Sequence, residues 1–181
     1  MVTSADPSEG KSTTAANLAI VLAQKNEKVL LVDTDLRKPT IHQTFAANPT
    51  CGVTSILTKH TTLESSIFKT NMSNLDVLTS GPIPPNPAEL LDSKAMEQLQ
   101  LGLRERYDYI IFDTPPVLAV TDPLIMANYS DGVILVVSSG KTHKNRALHA
   151  KELLDQFGAN TLGVVVNGVD QKNDHYYGVY S

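Results

Sequence analysis

A chain of 181 residues, 41% hydrophobic and 19% charged, is long enough for one domain with a substantial core and too apolar to be disordered. Its formal net charge of −4 and pI near 5.7 argue against a nucleic-acid binder working by bulk electrostatics, leaving room only for a local basic patch. A single cysteine, Cys51, excludes an intrachain disulfide and fits a reducing compartment, and no run approaches the roughly 20 apolar residues of a membrane-spanning helix.

The first residues, "MVTSADPSEGKS", have neither the basic start nor the apolar stretch of a signal peptide, so the expected location is the cytoplasm. A very short apolar start leads at once into "SADPSEGKST" (4–13) and then into a helical pattern, "STTAANLAIVLAQKN". Within it Ala16, Ile20 and Ala23 fall at near-helical spacing beside Leu18 and Leu22. "KVLLVD" (28–33) is the first of four nearly continuous apolar runs, followed by "YIIFD" (109–113), "GVILVV" (132–137) and "LGVVVN" (162–167). Such runs are expected of strands buried on both faces of a parallel sheet. "LDVLTSG" (75–81) is a fifth, weaker candidate, and "SGPIPPNPAELL" (80–91) reads as a rigid connection into a helix starting near Pro87. "SKAMEQLQLGLRERY" and "KNRALHAKELLDQFG" have the pattern of amphipathic helices, the second stopping at Gly158 in a C′ position.

Strands alternating with helices predict an α/β fold with a doubly wound, mainly parallel sheet, which binds ligands at the carboxyl ends of its strands. Those ends carry Asp33, Asp113 and Asn167. Neither an internal repeat nor a second-domain boundary is visible, so residues 1–170 read as one domain and 171–181 as a flexible tail. The tail ends in "DHYYGVYS", which holds three of the six tyrosines. His42, His60, His143, His149 and His175 show no metal-ligand spacing and read as surface residues.

The stretch 4–13 fits the phosphate-loop pattern G-x-x-x-x-G-K-[ST] at Gly10, Lys11 and Ser12, with Ala5 where the first glycine is expected. Gly10 lets backbone approach a phosphate, Lys11 suits the β- and γ-phosphates, and the Ser12 hydroxyl suits Mg²⁺. Backbone N–H groups at the helix start add partial positive charge. The strand ends supply the carboxylates that such a site needs for its metal: Asp33 in "LLVDTD", with Asp35 two residues on, and Asp113 in "IIFDTPP". Two aspartates spaced i, i+2 can face one crevice while Thr34 points away. The basic pair in "LRKP" (36–39) is either a solvated face or a contact for phosphate or an activating partner.

"SADPSEGKSTTAANLA", "LLVDTDLRKP", "SGPIPPNPAELL" and "YDYIIFDTPPV", in this order and with a terminal tyrosine cluster, resemble the bacterial tyrosine kinases. These are P-loop kinases of capsular and exopolysaccharide systems, with the MinD/ParA type of sheet and unrelated in fold to eukaryotic protein kinases. The resemblance implies ATP and Mg²⁺ as cofactors. It implies that Lys11 holds the β/γ-phosphates, that Ser12 ligates Mg²⁺ and that Thr13 bonds the α-phosphate, with Ser8, Glu9 and Gly10 completing the loop and Asn167 touching the base. Asp33 would assist the metal and activate the incoming hydroxyl, with Asp35 as the alternative in that second role, and Asp113 would hold Mg²⁺. Tyr176, Tyr177 and Tyr180 would be phosphoacceptors presented to a neighbouring subunit. The implied partners are those neighbouring subunits, the cytoplasmic segment of a membrane adaptor that recruits the kinase to the inner face of the membrane, and a cognate phosphotyrosine phosphatase.

Two departures from the family pattern stand out. Ser8 occupies a position commonly taken by glycine, and the helical segment that usually precedes the first strand and helps close a ring of subunits is not in this sequence. Among other readings, a MinD/ParA-like switch ATPase would carry a second lysine after the first loop glycine, where this chain has Asp6. A GTP site would need more than "NGVD" (167–170), which lacks the lysine of N-K-x-D. A non-catalytic nucleotide-bound scaffold would use the same loop without turnover.

Overall fold

Three residues suffice for the first strand. β1 (Val2–Ser4) is buried throughout and lies inside the sheet, between β5 (Tyr109–Asp113) and β6 (Val133–Ser138). The structure, a computed structural model, describes residues 1–169, so the tail tyrosines lie outside the described residues. The remaining elements are α1 (Lys11–Gln24), β2 (Val29–Asp33), α2 (Ile41–Thr44), α3 (Val53–Leu57), α4 (Leu63–Ser66), β3 (Ile67–Lys69), β4 (Leu75–Leu78), α5 (Pro87–Leu91), α6 (Lys94–Arg104), α7 (Asp122–Ala127), α8 (Lys144–Gln156) and β7 (Thr161–Asn167). The seven strands run in the order β3-β4-β2-β5-β1-β6-β7, all pairings parallel except the antiparallel β3–β4 edge.

Alternation along each strand divides the core between two faces. Leu30, Val32, Leu78, Phe112 and Leu135 point to one side, against Leu99, Leu103, Leu124 and Leu154 of the covering helices. Val29, Leu31, Val77, Ile111 and Val136 point to the other, against α1 and Ile41. The buried stripe of α1 is made of Ala15, Ala16, Ala19 and Ala23 rather than the larger Leu18, Ile20 and Leu22, which are only partly covered. Helix ends follow the local chemistry: Ser93 caps α6 by accepting from Met96 N at 3.3 Å, Pro87 opens α5, and Gly158 (φ 72°) follows α8 in the left-handed conformation.

The expected strands and long helices are all present. The short helices α2, α3, α4 and α7 and the edge strand β3 are too brief, at three to six residues, for periodicity to mark them. Two expectations are corrected. β7 is not buried on both faces: Leu162 is 67% exposed, and Val164 and Val166 are also open, because β7 is an edge strand. His42 is not a surface residue but half-buried, and its Nδ1 has no hydrogen-bond partner among the described residues. No helix among the described residues is long and apolar enough to cross a membrane.

Candidate nucleotide site

The loop between β1 and α1 crosses the carboxyl ends of the central strands, and its geometry explains its residue choices. Gly10 has φ 90°, and a β-carbon there would lie 2.3 Å from Asn167 Nδ2, so both conformation and packing demand glycine. Ser8 also has a left-handed backbone, at φ 63°, the conformation a glycine would adopt freely and most other residues reach at a cost of about 1–2 kcal/mol. Ala5 is fully buried and is not among the left-handed residues, so its β-carbon is accommodated where the motif has glycine. No side chain caps the start of α1, which leaves its first N–H groups for an anion.

Residues far away in sequence hold this loop in shape. Glu9 is 4% exposed, and its Oε2 accepts from Asp6 N at 2.8 Å while Oε1 accepts from the Thr142 hydroxyl. Thr142 Oγ1 in turn accepts from Ser138 N at 2.8 Å, tying the loop to the end of β6. Asn167, at the end of β7, donates through Nδ2 to Glu9 O (3.0 Å) and Thr14 Oγ1 (3.2 Å). Asp6 makes a two-pronged ion pair with Arg146 of α8, whose hydrogen bond is the main cause holding the Asp6 carboxyl below its usual range. Asn167 is marked in the sequence by its place at a strand end, but Thr142 and Arg146, 133 and 140 residues from their partners, have no sequence signature.

The aspartates converge on Lys11. Its Nζ lies 3.0 Å from Asp35 Oδ2, 3.6 Å from Asp113 Oδ1 and 3.1 Å from Ser12 Oγ. Burial alone would lower the ammonium's pKa, but Asp113 and Asp35 outweigh it and hold Lys11 above its ordinary value. Asp33 and Asp113 face each other across the β2–β5 ladder, and both are fully buried. Burial and then the charge of Asp113 push Asp33 up to about 7, against three backbone donors: Asp35 N (3.2 Å), Thr40 N and Ile41 N (3.1 Å each). Burial pushes Asp113 up to about 6 despite the opposing charge of Lys11. Thr34 points away from the crevice, its hydroxyl donating to Asp113 O at 2.8 Å.

A cleft of about 420 Å³ opens over this cluster, its lining including Ser8, Gly10, Lys11, Ser12 and Thr13 together with Pro115, Pro116, Ala119 and Val120. Of the three aspartates only Asp35 lines it. Arg37 of the basic pair is not free: it grips the buried Asp122 at the head of α7 through Nε (2.8 Å) and Nη2 (3.0 Å), while Lys38 stays exposed. Neither Asp113 oxygen has a hydrogen-bond partner among the described residues. A fully buried carboxylate without such a partner, its nearest cation Lys11 Nζ at 3.6 Å, is with the neighbouring Ser12 hydroxyl a fitting donor set for a hard divalent cation. No group of three or more His, Cys, Asp or Glu among the described residues could hold a metal alone, so the fit is to an ion shared with phosphate oxygens.

The sequence matches the AAA domain family over residues 8–155. It is 54% identical over 180 residues to the tyrosine-protein kinase YwqD of Bacillus subtilis (strain 168), covering 99% of this chain and 76% of that one. The structure superposes on the kinase domain of the Escherichia coli tyrosine kinase ETK with a TM-score of 0.92 and 34% identity, over 98% of this chain and 69% of that one. It superposes on the chimerical protein CapA2B2 with a TM-score of 0.89 and 45% identity, over 91% and 73%. The septum site-determining protein MinD of Pyrococcus horikoshii, complexed with Mg-ADP, shares the fold at 23% identity and a TM-score of 0.76, over 91% and 68%.

Proposed function

The chain belongs to the bacterial tyrosine-protein kinases, and from that premise we propose that it transfers the γ-phosphoryl group of ATP to Tyr176, Tyr177 and Tyr180 of a neighbouring molecule. Residues 1–170 then form the catalytic domain and 171–181 the acceptor tail. The observation that carries this reading is the meeting of Lys11, Ser12, Asp35 and Asp113 at the carboxyl ends of adjacent parallel strands.

In this reading the N–H groups at the start of α1 and the Lys11 ammonium receive the β- and γ-phosphates. Ser12 and Asp113 would hold Mg²⁺, which when bound neutralises charge on the phosphates; Asp33 braces that end of β2 through its three backbone donors. Asp35 is the better candidate for managing the acceptor proton, because it lines the cleft and Asp33 does not. The tyrosine Oη attacks the γ-phosphorus as its proton passes to the Asp35 carboxylate. The bond to the β,γ-bridging oxygen breaks and ADP leaves with that electron pair. Asp6, neutralised by Arg146 rather than replaced by a lysine, counts against a sandwich ATPase.

The kinase would act at the inner face of the membrane, activated by the cytoplasmic segment of a polysaccharide-assembly adaptor and reversed by a phosphotyrosine phosphatase. Incubation with Mg²⁺ and γ-labelled ATP, with and without such a segment, should put label on tyrosine in the parent chain. Changing Tyr176, Tyr177 and Tyr180 together to Phe should remove it. Label that persists in the triple variant would move the acceptor elsewhere; a parent that never labels would favour the scaffold.

The loop brace makes a separate prediction. Glu9→Ala strands the Asp6 N–H and the Thr142 hydroxyl, a loss of about 1–3 kcal/mol, and should weaken Mg-ADP binding roughly tenfold or more. Glu9→Gln keeps an acceptor for Asp6 and a donor for Thr142 and should bind near the parental level in a calorimetric titration. Equal affinity for the alanine variant would show that Glu9 does not shape the loop.

A further inference from the structure

We propose that the apolar part of the cleft lining, formed by Pro115, Pro116, Ala119 and Val120, seats the ring of the acceptor tyrosine, with the exposed Lys38 receiving the acidic residue that precedes it. The proposal rests on the kinase reading above and names the acceptor subsite of that same cleft.

The cleft lining includes two chemically different groups of residues. Gly10, Lys11, Ser12 and Thr13 offer a cation, hydroxyls and helix-start N–H groups, which suit a polyphosphate. Pro115, Pro116, Ala119 and Val120 offer only hydrocarbon, which a polyphosphate has no use for. Nor does a base explain them, since Asn167, the candidate base contact, packs on Gly10 and is not part of the cleft lining. An aromatic ring with one polar end is the group that gains from hydrocarbon on its face and a carboxylate at its tip.

Asp35 lines the same cleft as this hydrocarbon. It is 3% exposed, so a hydroxyl can meet it only on a long arm entering the cleft, which favours tyrosine over serine or threonine. Its position is fixed from two sides, by Lys11 Nζ at Oδ2 (3.0 Å) and by Lys38 N donating to Oδ1 (3.0 Å). The lining is tied together as well. Arg37 of the 34–40 loop binds Asp122, two residues beyond Val120, through both arms of its guanidinium.

The occupant we assign is residues 174–181 of a second copy, "DHYYGVYS". Asp174 precedes Tyr176 by two residues, which on an extended peptide puts both side chains on one side. A ring on the apolar lining then brings the Asp174 carboxylate toward the exposed Lys38 ammonium, a complementarity of charge that the phosphate loop, with Lys11 already paired, does not offer.

The test uses the full chain with its own three tail tyrosines changed to Phe, Mg-ATP, and a synthetic peptide of residues 170–181 as substrate. Ala119→Asp, at an exposed position, should raise the peptide KM at least about tenfold while Mg-ADP affinity stays parental; Val120→Ala should raise it about threefold to tenfold. Lys38→Glu should raise the KM several-fold for this peptide and much less for one carrying Asp174→Asn. A peptide with serine in place of all three tyrosines should not be labelled. Parental KM values in Ala119→Asp and Val120→Ala, or an equal loss of Mg-ADP affinity, would overturn the subsite while leaving the kinase reading intact. Failure of the unmodified chain to label any tyrosine would remove both.

Discussion

Replacing Lys11 with methionine should lower phosphoryl transfer to tyrosine by about a thousandfold or more and leave the chain folded. Methionine matches the stem of lysine without its charge, so the side chain can still fill the space between Ser12, Asp35 and Asp113. What disappears is the cation that the phosphate loop itself contributes to the cleft; Arg37 is tied to Asp122, and Lys38 is the other cation of the lining. The Lys11 ammonium is paired with two carboxylates, and in the proposed reading phosphate oxygens replace them as its partners when nucleotide binds, so the cation is already in place when charge develops. The substitution has a second signature. Burial already pushes Asp113 up to about 6 against the opposing charge of Lys11, so removing Lys11 must push it further. The variant should therefore carry an additional proton near neutrality, visible in a carboxylate-resolved NMR titration. The decisive measurement is the initial rate of tyrosine labelling, with thermal melting as the check on folding. More than a tenth of the parental rate in the methionine variant would mean that another group, Lys38 being the nearest candidate, neutralises the phosphates.

Much of this site was legible because backbone chemistry leaves marks. A strand that ends in aspartate at a sheet's carboxyl edge announces a ligand site, and Asp33 and Asp113 do face each other there across the β2–β5 register. Roles within the "DTD" pair were not legible. Spacing puts Asp33 and Asp35 in one crevice, but only the backbone donors of Thr40 and Ile41, supplied by the unmarked helix α2, turn Asp33 inward and leave Asp35 lining the cleft. "LRKP" likewise offered two equivalent basic residues, both exposed, and Asp122, 85 residues on, separates them into a strut held by an ion pair and a cation with no side-chain partner among the described residues. β7 misled for the opposite reason: an apolar run looks the same whether or not anything covers it, and the strand's place at the sheet edge is a property of the whole topology.

Asp113→Asn should abolish tyrosine labelling yet make the metal-free protein melt higher than the parent at pH 8. The carboxylate is fully buried, has no hydrogen-bond partner among the described residues, and is held up to about 6 from an ordinary 3.8, chiefly by burial. A carboxyl raised on folding contributes stability in its protonated form, which is fully present below about pH 4. That contribution is lost as pH rises through about 6, because over this window the folded chain binds a proton that the unfolded chain has released. A tenfold change in proton affinity is worth about 1.4 kcal/mol, so by pH 8 the ionised Asp113 burdens the metal-free fold by about 2–3 kcal/mol. The amide removes that burden, and Lys11 keeps its shorter contact, 3.0 Å to Asp35. Against this stands an amide in a pocket shaped for a carboxylate, so the net gain should be about 1–2 kcal/mol, a few degrees of melting temperature in a domain of this size. The parent should also lose more stability between pH 5 and 7 than the variant, and Asp33, held up to about 7 by burial and then by the charge of Asp113, adds a slope of the same sign that shrinks when Asp113 loses its charge. Saturating Mg-ADP should reverse the ranking, because the oxygen that Asp113 would offer the cation is the one the asparagine cannot charge. A variant that melts lower than the parent at pH 8 without metal would mean that Asp113 is held by its ion pair with Lys11, and that the buried carboxylate is a structural fixture rather than a ligand kept in reserve.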